Sequence, residues 1–229
     1  MTQVTETEVV AKPEYVLVIP RTELKAQGID YSGVQKFDIN KFTPENFGFL
    51  PRDLIDDKSA ASIEIGKLLP QVLPYFIIKD EEGRILSYNR KGKEKGLLGK
   101  NSIGVGGHID LIDSVEANQP DYDELTIDQA VDIKQIIQAG LKRELREEIG
   151  LTLLQDIDFD LIIAIDSDKT SNVHIALVAT IDVESFDELT PNPEEFLEVK
   201  YLTTEELFER SKTTEYEPWS QLLINYYNS

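Results

Sequence analysis

The densest chemistry in this chain of 229 residues lies in nine of them, Arg143-Glu-Leu-Arg-Glu-Glu-Ile-Gly150-Leu151. Glu144, Glu147 and Glu148 stand at i, i+3 and i+4. At ~100° per residue that spacing gathers three carboxylates on one face of a helix. Left unneutralised they repel one another, and in the last turns of a helix the macrodipole disfavours them further. A solvated surface tolerates such a pattern. A bound divalent cation would turn the repulsion into a site, because hard cations take oxygen ligands and can bridge phosphate oxygens. Arg143 and Arg146 are adjacent cations able to pair with the carboxylates and orient them.

The elements that must position this cluster follow from the flanking sequence. Ile127, Val131, Ile137, Leu141, Leu145 and Ile149 recur at helical spacing on a different stripe. The pattern predicts a helix over residues 127–149 with its Glu face turned from the core and Gly150 at its C-cap. Gly140 inside it marks close packing. Upstream, residues 73–78 read as a strand, Asp80–Gly83 as a turn and residues 84–90 as the returning strand of a hairpin. A Lys- and Gly-rich loop (91–100) follows, then a short strand ending in Gly106-Gly107, then an acidic loop over 111–125. Downstream come strands at 159–165, 173–183 and 196–202, a helix starting over 205–209, and an amphipathic helix at 218–227. Before residue 73 the pattern gives a polar start (1–13), a strand closed by Pro20, an irregular aromatic-rich stretch (21–58) and a short helix (59–69). Strands around one long helix with a second helix at the end indicate a mixed α/β sandwich.

Composition narrows the chemistry. There are 43 acidic and 23 basic residues, a net charge of −20, two histidines and no cysteine. Without cysteine there is no disulfide, Cys-based zinc site, iron–sulfur cluster or thiol nucleophile. With two histidines, a metal would be a hard cation on carboxylates: magnesium, calcium or manganese. The charge disfavours long nucleic acids and anionic membrane surfaces. No apolar run approaches the ~18 residues of a membrane span, and the first residues lack a basic-then-apolar leader, so a cytoplasmic location is expected. Against the acidic background, residues 90–100 carry Arg90, Lys91, Lys93, Lys95 and Lys100 with Glu94 as their one acid. Such a patch is either a solvated loop or a phosphate-binding rim.

The order Arg-Glu-Leu-x-Glu-Glu-x-Gly-Leu, after a strand ending in Gly106-Gly107, resembles the Nudix box. The family pattern is Gly, five residues, Glu, seven residues, then Arg-Glu-apolar-x-Glu-Glu-x-Gly-apolar. Its second half matches here at every fixed position. The succession of elements over residues 73–210 is similar as well. The resemblance implies a Nudix-type α/β/α sandwich with a mixed sheet over 73–229. Residues 1–72 would then be an N-terminal α+β extension serving specificity or dimerisation. Two features depart from the pattern. Asp113 stands where the family has Glu, and residues 108–142 fill a gap that holds thirteen in the pattern. An inserted acidic loop around 114–126 accounts for the excess. Sequences with Gly-Gly-His-Ile and a long gap form a Nudix subgroup labelled predicted phosphoesterases. Tyr15–Arg21 and Phe49-Leu-Pro-Arg52 are similar to its N-terminal part.

The resemblance implies a metal-dependent hydrolase that cleaves a diphosphate (phosphoanhydride) linkage in a nucleoside diphosphate derivative or related small molecule, with Mg2+ or Mn2+. It implies Glu147 and Glu148 as principal metal ligands, with Glu147 essential to catalysis. Glu144 is a further ligand or the base acting on water, Arg143 the residue orienting the cluster, and the Gly106 carbonyl a backbone ligand. Among Glu194, Glu195 and Glu198, Glu195 is the first choice for an acidic ligand from a later loop. Arg90 and Lys100 would hold phosphate oxygens, and His108 would contact substrate or move a proton, whereas His174 reads as structural. A non-catalytic Nudix-fold nucleotide-binding or regulatory module is the alternative, and homodimerisation stays open. An isoprenoid diphosphate isomerase shares the fold, but the cysteine its chemistry usually employs is absent.

Overall fold

The protein is described from a computed structural model, over residues 14–56, 59–91, 97–116, 132–167 and 171–229. Ten strands join in one mixed sheet: β1 (Tyr15–Val18), β2 (Ser32–Lys36), β3 (Gly48–Pro51), β4 (Gln71–Asp80), β5 (Ile85–Arg90), β6 (Asn101–Ser102), β7 (Val105–Gly106), β8 (Leu161–Ile165), β9 (His174–Val183) and β10 (Phe196–Leu202). The spine runs β10-β5-β4-β9-β8-β2. At its centre β4 and β9 are parallel, from Gln71↔His174 to Asp80↔Val183, and the other pairings are antiparallel. The helices are α1 (Arg21–Ala26), α2 (Asp53–Asp56), α3 (Ala60–Leu68), α4 (Leu111–Glu116), α5 (Ile133–Ile149), α6 (Thr204–Ser211) and α7 (Pro218–Tyr227).

The central strands are apolar on both faces, as a sheet covered on both sides requires. Phe76 and Ile78 of β4, Ile175, Leu177 and Ala179 of β9, and Ile162 and Ala164 of β8 share one core with Ile136, Ile137, Leu141, Leu145 and Ile149 of α5. The alternate residues Tyr75, Ile77, Ala176, Val178, Leu161 and Ile163 pack in a second core with Leu207 of α6 and Leu223 and Ile224 of α7. The layers are thus helix, sheet, helix, as expected. The stripe on α5 is the one its apolar spacing predicts, and the helix is capped by Asp132 and closed by Gly150 at φ 70°. Residues 127–131, read as its first turn, lie outside the described residues, as do 117–126 of the acidic insertion.

Two stretches differ from the sequence reading. Residues 21–58 are not irregular throughout: they supply α1, β2, β3 and α2, and β2 extends the sheet beyond β8. In β2 the buried residue is Gly33, so this edge strand lacks the apolar alternation that announces a strand. The start of the acidic segment is not a loop but α4. Among its described side chains the buried ones are Asp113 and Ser114 while Ile112 is exposed, so apolar periodicity does not announce it.

Candidate active site

The C-terminal half of α5, the β7 end with Gly106-Gly107, and the loop before β10 border a cleft of about 500 Å³. Glu144, Glu147 and Glu148 all line it, as do Gly106, Gly107, His108, Arg90 and Glu195. The i, i+3, i+4 spacing therefore brings the carboxylates to one wall, away from the apolar stripe.

Arg143 organises that wall. Its Nε donates to Asp113 Oδ1 at 2.8 Å and its Nη2 to Asp113 Oδ2 at 3.0 Å. Nη2 also donates to the His108 carbonyl at 2.8 Å, and Nη1 donates to Glu144 Oε1 at 2.8 Å and to Glu147 Oε2 at 3.2 Å. A guanidinium has five N–H donors, and each has a partner here. Burial works against the Arg143 charge, but Asp113 and Glu144 more than reverse that effect and hold it protonated. All five Arg143 donors are thus engaged by Asp113, Glu144, Glu147 and the His108 carbonyl.

The counterpart that makes this possible is Asp113, fully buried, which also accepts from the Asp110 N–H at 2.8 Å. It stands six residues after Gly107, where the box pattern has Glu. Asp113 reaches Arg143 because the opposing helix carries Gly140: a Cβ there would lie 2.7 Å from Asp113 Oδ2. Gly107 has the same function for Glu144, since a Cβ on it would lie 2.1 Å from the Glu144 carboxyl carbon. Gly107 and the helix glycine are therefore packing requirements of the charged cluster, whereas Gly106 lies against the Pro74 carbonyl of β4.

The electrostatics follow from this crowding. Burial, with Glu148 and Glu147 adding to it, pushes Glu144 up to about 7 although Arg143 opposes the shift. Burial and then Glu195 push Glu148 up as well, partly offset by Arg90. Glu195 is brought to Glu148 by its loop: the Thr190 and Asn192 N–H groups donate to the Ile149 and Glu148 carbonyls, each at 2.8 Å. Among the described residues no three Asp, Glu or His side chains converge as a metal site requires. Glu144 and Glu147 turn toward Arg143 Nη1 instead. The donor set is nonetheless carboxylate oxygens with a neighbouring backbone carbonyl, and their ionised forms disfavour one another. Both properties suit a hard divalent cation.

The remaining expected residues divide. Arg90 borders the cleft at the end of β5, next to Glu148 and Glu195, and His108 lines it with its ring 6.2 Å from that of His174. The structure does not bring Lys100 there. Its Nζ lies 3.1 Å from Glu215 Oε1, and the residue is not among those lining the cleft. Lys93 and Lys95 lie outside the described residues. Glu194 lines the cleft beside Glu195, whereas Glu198, at φ 46°, sits at a bulge in β10.

The sequence reading missed four charged residues of the cleft. Glu217, buried at the N-cap of α7, accepts hydrogen bonds from the Tyr75 and Ser220 hydroxyls and from the Ser220 and Trp219 N–H groups at 2.8 and 2.9 Å. An acid directly before Pro218 is an N-cap signal that was available. Asp110, Glu14 and Arg52 also line the cleft. Local sequence offered no chemical signal for them.

No protein-family model matches the sequence, and no curated protein matches it. Solved structures do. Tm1382, described as a candidate Nudix hydrolase, superposes with a TM-score of 0.69 at 21% identity over 93% of this chain and 98% of that chain. A Nudix hydrolase from Alicyclobacillus acidocaldarius gives 0.47 at 12% identity over 68% of this chain and 90% of its own. A MutT protein from Methanosarcina mazei Go1 gives 0.43 at 19% over 69% and 94%. The likeness to Tm1382 shows that the chain has the Nudix fold.

Proposed function

We propose that this chain hydrolyses a diphosphate linkage in a nucleoside diphosphate derivative or a related small phosphorylated molecule, with Mg2+ or Mn2+ bound. The observation that carries the reading is the Arg143 cluster: a saturated guanidinium and two packing glycines keep repelling carboxylates together in a cleft. Glu144, Glu147 and Glu148, with the Gly106 carbonyl and Glu195, would hold the cation. When bound, such a cation lowers the pKa of water and offsets negative charge on phosphoryl oxygens.

The chain's own residues do the rest. Arg143 holds Glu144 and Glu147 in register, and Asp113 fixes Arg143. Glu144, whose buried carboxyl sits near 7, is placed to accept a proton from an attacking water. Arg90 meets phosphate oxygens, and His108 contacts the substrate from the end of β7. Among the described residues no helix is long and apolar enough to cross a membrane. The cysteine-free composition suits a reducing cytoplasm.

A panel of nucleoside diphosphate derivatives assayed with Mg2+ or Mn2+ tests the reading, with turnover of at least one expected. Glu147→Gln is expected to reduce kcat by about 10²–10³-fold or more while the circular dichroism spectrum stays unchanged. Full activity in that variant would overturn the metal assignment. Nucleotide binding by calorimetry with no turnover of any panel member would favour a non-catalytic binding module.

A further inference from the structure

Three arginines line the cleft among the described residues: Arg52, Arg90 and Arg143. Arg143 has no donor left for a substrate, as its five N–H groups are all engaged. The other two arginines line the same cleft and flank the carboxylates. Arg90 neighbours Glu148 and Glu195. Arg52 directly follows β3, where its Nη1 meets Glu14 at 2.9 and 3.1 Å. Glu14 in turn acts electrostatically on Asp110, which lies 3.7 Å from Arg143. From Arg143 to Glu148 is five residues, ~7.5 Å along the helix axis. The Arg52 region thus adjoins the Arg143 end of the carboxylate wall and Arg90 the Glu148 end.

The Arg52–Glu14 pair is half-open to solvent, with side chains 32% and 46% exposed. An ion pair this exposed contributes little to stability. A guanidinium in a cleft wall is, however, well suited to bidentate capture of a phosphate, which would compete with Glu14 for it.

Resting on the hydrolase reading above, we propose that Arg52 is a specificity-determining residue. It receives an additional phosphate of the substrate, beyond the diphosphate placed against the carboxylates, and Glu14 is the internal competitor that this phosphate displaces. The preferred substrates then carry a third phosphate rather than two.

Calorimetry with two probes that carry no cleavable phosphoanhydride, α,β-methylene-ADP and α,β:β,γ-bismethylene-ATP, in Mg2+ tests this. Wild type should bind the triphosphate analogue more tightly. Arg52→Gln should weaken that analogue by about tenfold, the loss expected of a charge-assisted bidentate contact, and leave the diphosphate analogue nearly unchanged. Glu14→Gln should move the other way and tighten the triphosphate analogue. A merely structural ion pair would make the two variants change alike, with equal loss for both probes and a shared drop in Tm. That outcome overturns the proposal, as does a wild type without preference or an Arg52→Gln variant that keeps it. If wild type binds neither probe, the hydrolase reading fails as well. If it binds both and only the preference behaves wrongly, this inference fails alone.

Discussion

Two buried glutamates line the same cleft and live in opposite circumstances. Glu217 is 4% exposed and Glu144 8%. Glu217 is surrounded by neutral donors, three hydroxyls and two backbone N–H groups, and among the described residues no second carboxylate is bonded to it. Its charge is distributed over hydrogen bonds that also cap α7 and tie β4 to that helix. Glu144 receives Arg143 Nη1 but shares that nitrogen with Glu147, and Glu147 and Glu148 repel it. One carboxylate is satisfied by the fold. The other is held in place by the fold yet left with electrostatic demand that a cation would meet. In this cleft, burial alone does not mark a functional acid; a buried acid whose needs the protein leaves unmet does.

The sharpest way to break that comparison is to remove the group that holds the unmet side together. Arg143→Met strands Asp113 as a fully buried carboxylate without its cation. Removing one partner of such a pair typically costs about 3–5 kcal/mol, so urea denaturation should show a loss of that order along with lost turnover. A variant with wild-type stability would show that Asp113 does not depend on Arg143.

A smaller effect separates the two glutamates directly. Glu144→Gln should lower kcat by about 10²–10³-fold while changing stability by less than about 1 kcal/mol, since the amide oxygen still accepts from Arg143 and the repulsion falls. Glu217→Gln should do the reverse. Its amide NH₂ would face hydroxyls and N–H groups that already donate, costing about 1–3 kcal/mol in stability with kcat largely retained. If both variants lost activity and stability in similar proportion, the distinction between the two carboxylates would fall.

Which parts were legible in the sequence follows the same division. The carboxylate face of α5, Arg143 and the Gly106-Gly107 pair are set by spacing within one helix and one strand end, and local periodicity reports them. The core stripe and the strands β4, β5, β8, β9 and β10 were legible for that reason too. Asp113 was visible only as a misfit at a motif position. Its partnership with Arg143 spans 30 residues and rests on α4, a helix whose buried side chains among the described residues are Asp113 and Ser114. The Arg52–Glu14 pair spans 38 residues and arises from β1–β3 pairing, which composition does not encode. Lys100 erred in the other direction. The basic island is a sequence fact, but the turn before β6 delivers its last lysine to Glu215.

Asp110 provides the smallest and most specific test, because it lies between the two cases. Its Oδ1 is buried without a hydrogen-bond partner among the described residues, and its Oδ2 stands 3.7 Å from Arg143 Nη2, whose hydrogens already go to Asp113 and the His108 carbonyl. Burial pushes Asp110 up to about 7, Arg143 offsets this in part, and Glu14, Asp113 and Glu144 add to it. The folded value lies above the ordinary 3.8, so the folded state holds this proton more firmly than the unfolded chain does. Ionising Asp110 therefore costs stability as pH rises from about 4 to about 7, and the full cost applies above that window. Asp110→Asn removes the cost. The Tm of the variant minus that of wild type should be near zero around pH 4, grow through neutrality and level off above pH ~8. A relative gain of about 1 kcal/mol would appear as roughly 2–4 °C in a chain of this size. A difference that stays flat with pH would mean that Asp110 is as well satisfied as Glu217, and that the unmet demand in this cleft is confined to the three glutamates of α5.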